Sequence, residues 1–128
     1  VNREQIAQII DVMPTLLSLC GLEAPDSVQG LDLTPTVTGS VKHQSQNRVY
    51  IETPANEIGV RTTTHKYGMR IDPKTHQVVD EDFLFYDLRE DPCEQRNLVE
   101  TEEQAEVAAG LKRDLKAWHE KTPWLEVS

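Results

Sequence analysis

At 128 residues the chain has the length of one ordinary domain, which rules out a multi-domain array. Apolar types make up 38% of it and aromatic ones only 5%, so its core is modest and thinly filled by rings. Acidic residues outnumber basic ones by 22 to 13, and the resulting charge of -9 repels phosphate backbones and anionic lipid, arguing against nucleic acid or a membrane surface as partner.

The opening Val1-Asn2-Arg3-Glu4 is not a charged-then-apolar leader, and no apolar run approaches the roughly 18 residues of a membrane span, so neither a signal peptide nor a span is expected. Ile6, Ile9, Ile10, Met13, Leu16, Leu17 and Cys20 recur at helical spacing. Pro14 cannot donate to a helical ladder, so the pattern predicts a helix over 12–20 with Asp11 as N-cap, Pro14 in the first turn and Gly21 as the stop. Cys20 reads as a core residue of that helix. Two cysteines, Cys20 and Cys93, define neither a disulfide scaffold nor a four-thiolate site. Pro25, Gly30 and Pro35 punctuate a loop, one further helical turn fits between Pro35 and Gly39, and the polar 40–47 stretch reads as a linker.

Beyond the linker the pattern changes. Runs at 48–52, 58–62, 67–71 and 83–86 predict four short strands, with Asp72-Pro73-Lys74 as a turn, and such spacing favours an antiparallel sheet with one covered face. The cover is a helix over 102–121. Thr101-Glu102-Glu103-Gln104 has the form of a capping box, Val107, Leu111, Leu115 and Trp118 form an apolar stripe, and Lys121-Thr122-Pro123 ends it. The expectation is an α+β fold, a small four-stranded antiparallel sheet packed by a C-terminal helix. From Asp80 to Glu106, eleven carboxylates face two arginines. The run reads as a solvated face and lacks the D-x-[DN]-x-[DN]-G form of a calcium loop. Within it, Phe85 to Leu98 reads as strand, then turns at Asp87, at Asp91-Pro92 and at Asn97, with Tyr86 and Leu98 as apolar pins. It holds no base, nucleophile and acid together, so its role reads as structural.

Three strings in this order resemble the C-terminal region of sulfatases of the alkaline-phosphatase-like superfamily. Asp11-Val12-Met13-Pro14-Thr15-Leu16-Leu17 with Gly21 looks like the D-x-x-P-T-L-L helix late in their catalytic domain, and Pro25 to Gly30 with Leu31 and Leu33 is similar to the loop after it. Arg61-Thr62, Lys66-Tyr67, Leu84 to Leu88, and Asp91-Pro92 with Glu94, Asn97 and Leu98 resemble the signature of their terminal sheet. Where the family usually has glycine after Asp-Pro this chain has Cys93, which is expected either to sit in a tolerant turn or to take a positive φ.

The resemblance implies that residues 1–39 are the tail of an α/β catalytic domain, that 40–47 link it, and that 48–128 are the terminal subdomain. It implies a parent enzyme that hydrolyses sulfate esters with a formylglycine nucleophile made within C/S-x-P-x-R and a divalent cation, usually Ca²⁺. Cys20 precedes Gly21-Leu22 and Cys93 precedes Glu94-Gln95, so neither fits that motif. The chain by itself is therefore expected to be a non-catalytic piece whose partner is the catalytic domain of the same polypeptide, with self-association of an orphaned apolar helix face as a consequence. Extracytoplasmic location is implied in the same way. Arg61, His65 and Lys66 are the candidate substrate-binding residues, since a basic patch holds a sulfate anion. The competing reading gives Arg61 a bridge to Asp87 or Glu94 and leaves Lys66 at a solvated strand end. His43, His76 and His119 lack metal-ligand spacing, and Trp118 and Trp124 could stack on a sugar, although Trp118 lies on the apolar stripe. Two other readings stand beside this one: a stand-alone binding module for a sulfated ligand, opposed by the charge of -9, and the terminal part of a phosphonate or phosphodiester hydrolase.

Overall fold

A computed structural model describes residues 4–44 and 47–122, apart from the side chain at position 80. The chain divides into two compact units, Val1–Val49 and Tyr50–Ser128.

In the first unit a 3-10 turn over Ile9–Asp11 runs into α1, Val12–Leu19. Pro14 lies in the first turn of α1, where its missing N–H leaves no ladder bond unmade. Gly21 takes φ +72 beyond the last turn, and the N–H groups of Gly21 and Leu22 donate to the carbonyls of Ser18 and Leu17 in a Schellman closure. Asp11 occupies the N-cap position without capping α1. The preceding turn holds its backbone in the helical region, and its carboxylate accepts instead from the N–H of Gln8 and of Leu31, both at 2.8 Å. Thr15 Oγ1 donates to the Asp11 carbonyl and accepts from the Leu33 N–H. The loop thus lies against the start of α1, and only glycine fits at position 30, where a Cβ would stand 2.0 Å from the Ile10 carbonyl oxygen. A single helical turn, α2, spans Thr34–Val37. Gln44 N–H donates to Gln5 Oε1, and Asn47 Oδ1 accepts from the Ile6 N–H, so the polar stretch is tied to residues 4–6.

The apolar face of α1 is not a core. Val12, Met13, Leu16 and Leu19 are each about half exposed, and Cys20 is exposed as a free thiol. The expectation that Cys20 is buried fails because the face to which it belongs is itself uncovered: Met13 and Leu16 are exposed with it, and Cys20 stands at the C-cap beyond the last residue of α1.

In the second unit β1 (Arg48–Thr53), β2 (Glu57–Thr62), β3 (His65–Ile71) and β4 (Val78–Asp87) form a four-stranded sheet in the order of the chain, with β2–β3 and β3–β4 antiparallel. The α+β expectation is met. The core is the helix-facing side: Ile58 and Val60 of β2, Tyr67, Met69 and Ile71 of β3, Phe85 of β4, then Leu98, and Leu111 and Leu115 of α3, Ala105–Lys121. Alternation in β2 and β3 assigns Gly59, Arg61, Lys66, Gly68 and Arg70 to the opposite face.

Three expectations about this unit are corrected. β4 is ten residues rather than four, because the acidic 80–82 stretch continues the strand; register shifts after Gly68 and after Met69 break the two-residue alternation by which the strand would be recognised. Asp82 within it accepts from the Tyr67 hydroxyl at 2.6 Å and pairs with Lys112 at 2.8 Å. Second, α3 starts at Ala105, not 102, and the capping box does not form. Thr101 Oγ1 donates back to the Leu98 carbonyl, and Gln104 sits before the helix in the left-handed region at φ 56. Third, the core-facing stripe is Leu111 and Leu115, both buried, with Ala108 and Trp118 partly buried against the same core, while Val107 is 38% exposed. Trp118 lies flat on Tyr50 with ring centroids 4.7 Å apart, so its face is already covered. Pro123 and Trp124 lie outside the described residues. Among those described, no helix is long and apolar enough to cross a membrane.

Candidate functional site

The three basic or titratable residues singled out in the sequence lie on two sides of one sheet. His65 begins β3 in phase with Tyr67 and Met69, so it points to the helix side and is 6% exposed. Its Nε2 lies 2.7 Å from Gln104 Oε1 and its Nδ1 2.8 Å from Thr64 Oγ1. Gln104 Nε2 in turn donates to Asp87 Oδ2 at 2.8 Å. Asp87 also receives the Arg89 backbone N–H at 3.0 Å and two nitrogens of the Arg89 guanidinium. Hydrogen bonds from Arg89, then from Gln104, hold the Asp87 carboxyl far below the usual carboxylate range. This network joins β3, β4 and the start of α3, and it leaves His65 no path to a ligand on the other face.

Arg61 and Lys66 are direct cross-strand partners in β2 and β3, and Lys66 is in turn the partner of Tyr86 in β4. Cross-strand partners share a face, so Arg61, Lys66 and Tyr86 form a row across three strands on the side away from α3. Tyr86 is not the apolar pin that the sequence suggests. Phe85 takes that role, being 1% exposed and accepting the Leu98 N–H at its carbonyl, and Tyr86 faces the other way, half-buried. Alternation counted back from Asp87 would have placed it there.

Over the row stands Glu94. Its Oε1 is 3.1 Å from Arg61 Nη1 and its Oε2 is 2.5 Å from Lys66 Nζ. The bridge from Arg61 therefore goes to Glu94, and Lys66 is paired rather than left at a solvated strand end. The positive φ considered for Cys93 falls on Glu94, at φ 55, while Cys93 is an exposed free thiol. The loop carrying Glu94 is held independently: Asn97 Oδ1 accepts the Phe85 N–H, its Nδ2 donates to the Phe83 carbonyl, and Asp91 Oδ2 accepts the Arg96 N–H.

Other candidates do not assemble. His43 lies on an exposed turn, and His119 Nε2 is 2.7 Å from the His76 carbonyl. Among the described residues no group of three or more His, Cys, Asp or Glu side chains is placed to hold a metal ion. Neither cysteine stands in a C/S-x-P-x-R string, since Cys20 precedes Gly21-Leu22 and Cys93 precedes Glu94-Gln95.

Residues 1–121 match the family model for the C-terminal region of N-sulphoglucosamine sulphohydrolase. The chain is 28% identical over 109 residues to a Delta 4,5-hexuronate-2-O-sulfatase of Bacteroides thetaiotaomicron, covering 78% of this chain and 21% of that protein. It is 29% identical to an arylsulfatase of Clostridium perfringens over 88% of this chain and 22% of that one, and 29% identical to human arylsulfatase A over 74% and 22%. A solved structure of a protein in complex with its substrate D-glucosamine-2-N,6-O-disulfate is similar at a TM-score of 0.66 and 26% identity, covering 87% of this chain and 23% of that one. Another, from work on the metabolism of multiple glycosaminoglycans by Bacteroides thetaiotaomicron, gives a TM-score of 0.62 at 25% identity over 89% and 27%. The chain thus spans 21–22% of the length of the curated relatives it matches. Fold, motif order and these likenesses agree: the chain belongs to the N-sulphoglucosamine sulphohydrolase C-terminal family of sulfatases.

Proposed function

We propose that this chain is the terminal part of an enzyme that hydrolyses sulfate esters on a sugar, and that it contributes an anion-binding face rather than the reacting atoms. The observation that carries this reading is the row of Arg61, Lys66 and Tyr86 on the sheet face away from α3. Two adjacent cations attract an ester sulfate, the planar guanidinium can grip two of its oxygens, and a neighbouring phenol ring offers an apolar surface to a pyranose. Arg61 is 43% exposed and engages Glu94 through one nitrogen, so the rest of its donor fork is available. The sulfatase names and sulfated-sugar substrate of the relatives support the same substrate class. The nucleophile, expected to be formylglycine, and the cation, expected to be Ca²⁺, belong in this reading to the catalytic domain of the same polypeptide. The half-exposed apolar face of α1 is the part of this chain suited to lie against that domain.

Two measurements test the proposal. In the whole enzyme, Arg61→Ala raises KM for a sulfated monosaccharide by about tenfold while kcat changes little, the signature of lost binding rather than lost chemistry. The 128-residue chain by itself shows no turnover of a chromogenic aryl sulfate with or without Ca²⁺. Turnover by the chain alone would overturn the assignment of the reacting atoms to the rest of the enzyme.

A further inference from the structure

We infer that Glu94 occupies an oxyanion seat between Arg61 and Lys66, so that its carboxylate is an internal competitor which the anionic group of a ligand displaces. The inference rests on the reading of this sheet face as a substrate-binding face and goes beyond it by naming the group that controls access.

The geometry has the form of a bound anion. Each oxygen of one carboxylate meets a different cation, Oε1 with Arg61 at 3.1 Å and Oε2 with Lys66 at 2.5 Å, and the two cations are direct neighbours across β2 and β3. Both the Glu94 and the Lys66 side chains are 26% exposed, so the seat is partly shielded yet open to exchange with solvent.

Holding the loop does not require this contact. Its closure already rests on the two Asn97 side-chain bonds to β4, the Leu98 N–H to the Phe85 carbonyl, and the Asp91 carboxylate on the Arg96 N–H. Part-exposed ion pairs add little to such a closure. Glu94 takes φ 55, in the left-handed region that Asn56, His76 and Gln104 also adopt, and this turn sets its carboxylate over the two cations. In a chain of formal charge -9 an uncovered pair of cations would be an isolated positive spot, and Glu94 neutralises one of its two charges until a ligand arrives. The ligand group that replaces it must present at least two oxygens on one centre and a negative charge. A sulfate monoester and a uronate carboxylate share that chemistry.

The test is a titration of the 128-residue chain, followed by amide chemical shifts at positions 61, 66 and 94, with glucosamine 6-sulfate in one arm and glucuronate in the other at constant ionic strength. Glu94→Gln, which keeps the shape and removes the charge, binds at least one of the two sugars about tenfold more tightly than the native chain, and adding Arg61→Ala abolishes the gain. The arm that gains identifies the oxyanion. Equal affinity of Glu94→Gln and the native chain in both arms, with Arg61→Ala still weakening binding, overturns the seat and leaves the binding face standing. Indifference to Arg61→Ala in every background overturns both. Should Glu94→Gln fail to give native-like amide spectra, Glu94→Asp withdraws the carboxylate by one methylene and supplies the same comparison.

Discussion

The Asp87 carboxylate accepts from the Arg89 backbone, the Arg89 guanidinium and the Gln104 amide, and each of those donors favours its ionised form. Its folded-state value therefore lies below the roughly 3.9 of an unfolded aspartate, so the native state binds fewer protons there than the unfolded state. The stability this contributes is complete above about pH 4 to 5 and is lost as pH falls through the lower, folded value. Asp87→Asn is accordingly expected to be less stable than the native chain near neutral pH and to lose less on acidification, read from urea unfolding at a series of pH values between about 6 and 2. The Asx turn at Asp87 is legible in the sequence, because Asp followed by Leu-Arg after an apolar run signals it. Its second partner is not. Gln104 lies seventeen positions away, and only the docking of the start of α3 beside β4 brings the two together.

At the scale of elements, α3 shows how local signals and packing compete. The capping-box string is present, yet Thr101 is drawn to the Leu98 carbonyl and Gln104 to His65 and Asp87, so the helix begins only at Ala105. Once started there, its buried stripe follows from Leu111 and Leu115, which the sheet selects over Val107. Gly110 lies on the other side of that helix, where an added Cβ meets nothing within 4 Å. Gly110→Ala thus changes helix propensity alone. It is expected to stabilise the chain by about 0.5–1 kcal/mol. In calorimetry this appears as a rise of roughly 2–6 °C in Tm. β4 illustrates the opposite limit. Its acidic first half carries no strand signal, and the pairing of Ile71 with Val78 across the hairpin supplies what composition does not.

For the whole molecule, the contrast between the two units is the main physical feature. The second encloses a core in which Val60, Met69 and Leu115 are fully buried, whereas the first leaves Ile9, Val12, Met13, Leu16 and Leu19 substantially exposed around a shallow apolar cleft of about 290 Å³ lined by α1 and α2. Exposed apolar area of this kind drives association when nothing covers it. The chain in isolation is expected to associate with rising concentration, and Leu16→Glu to shift sedimentation towards monomer without altering the far-UV spectrum, since Leu16 is 57% exposed and supports no core.

What the sequence by itself determined is what depends on neighbours along the chain: the α1 stop at Gly21, the four strand centres, the stripe through Leu111 and Leu115, and the order of motifs that marks the sulfatase terminal region. Tertiary structure alone decided which side chains meet across distance. Arg61, His65 and Lys66 look like one cluster in the sequence, but strand alternation sends His65 into the helix-facing network and the other two to the far face. The sequence offers Asp87 or Glu94 as a bridge for Arg61, and the fold selects Glu94, which also reaches Lys66 from a loop 28 positions beyond it. The reason is that a contact between distant positions is set by strand register and by how a loop closes, and neither leaves a periodic trace in the order of residues.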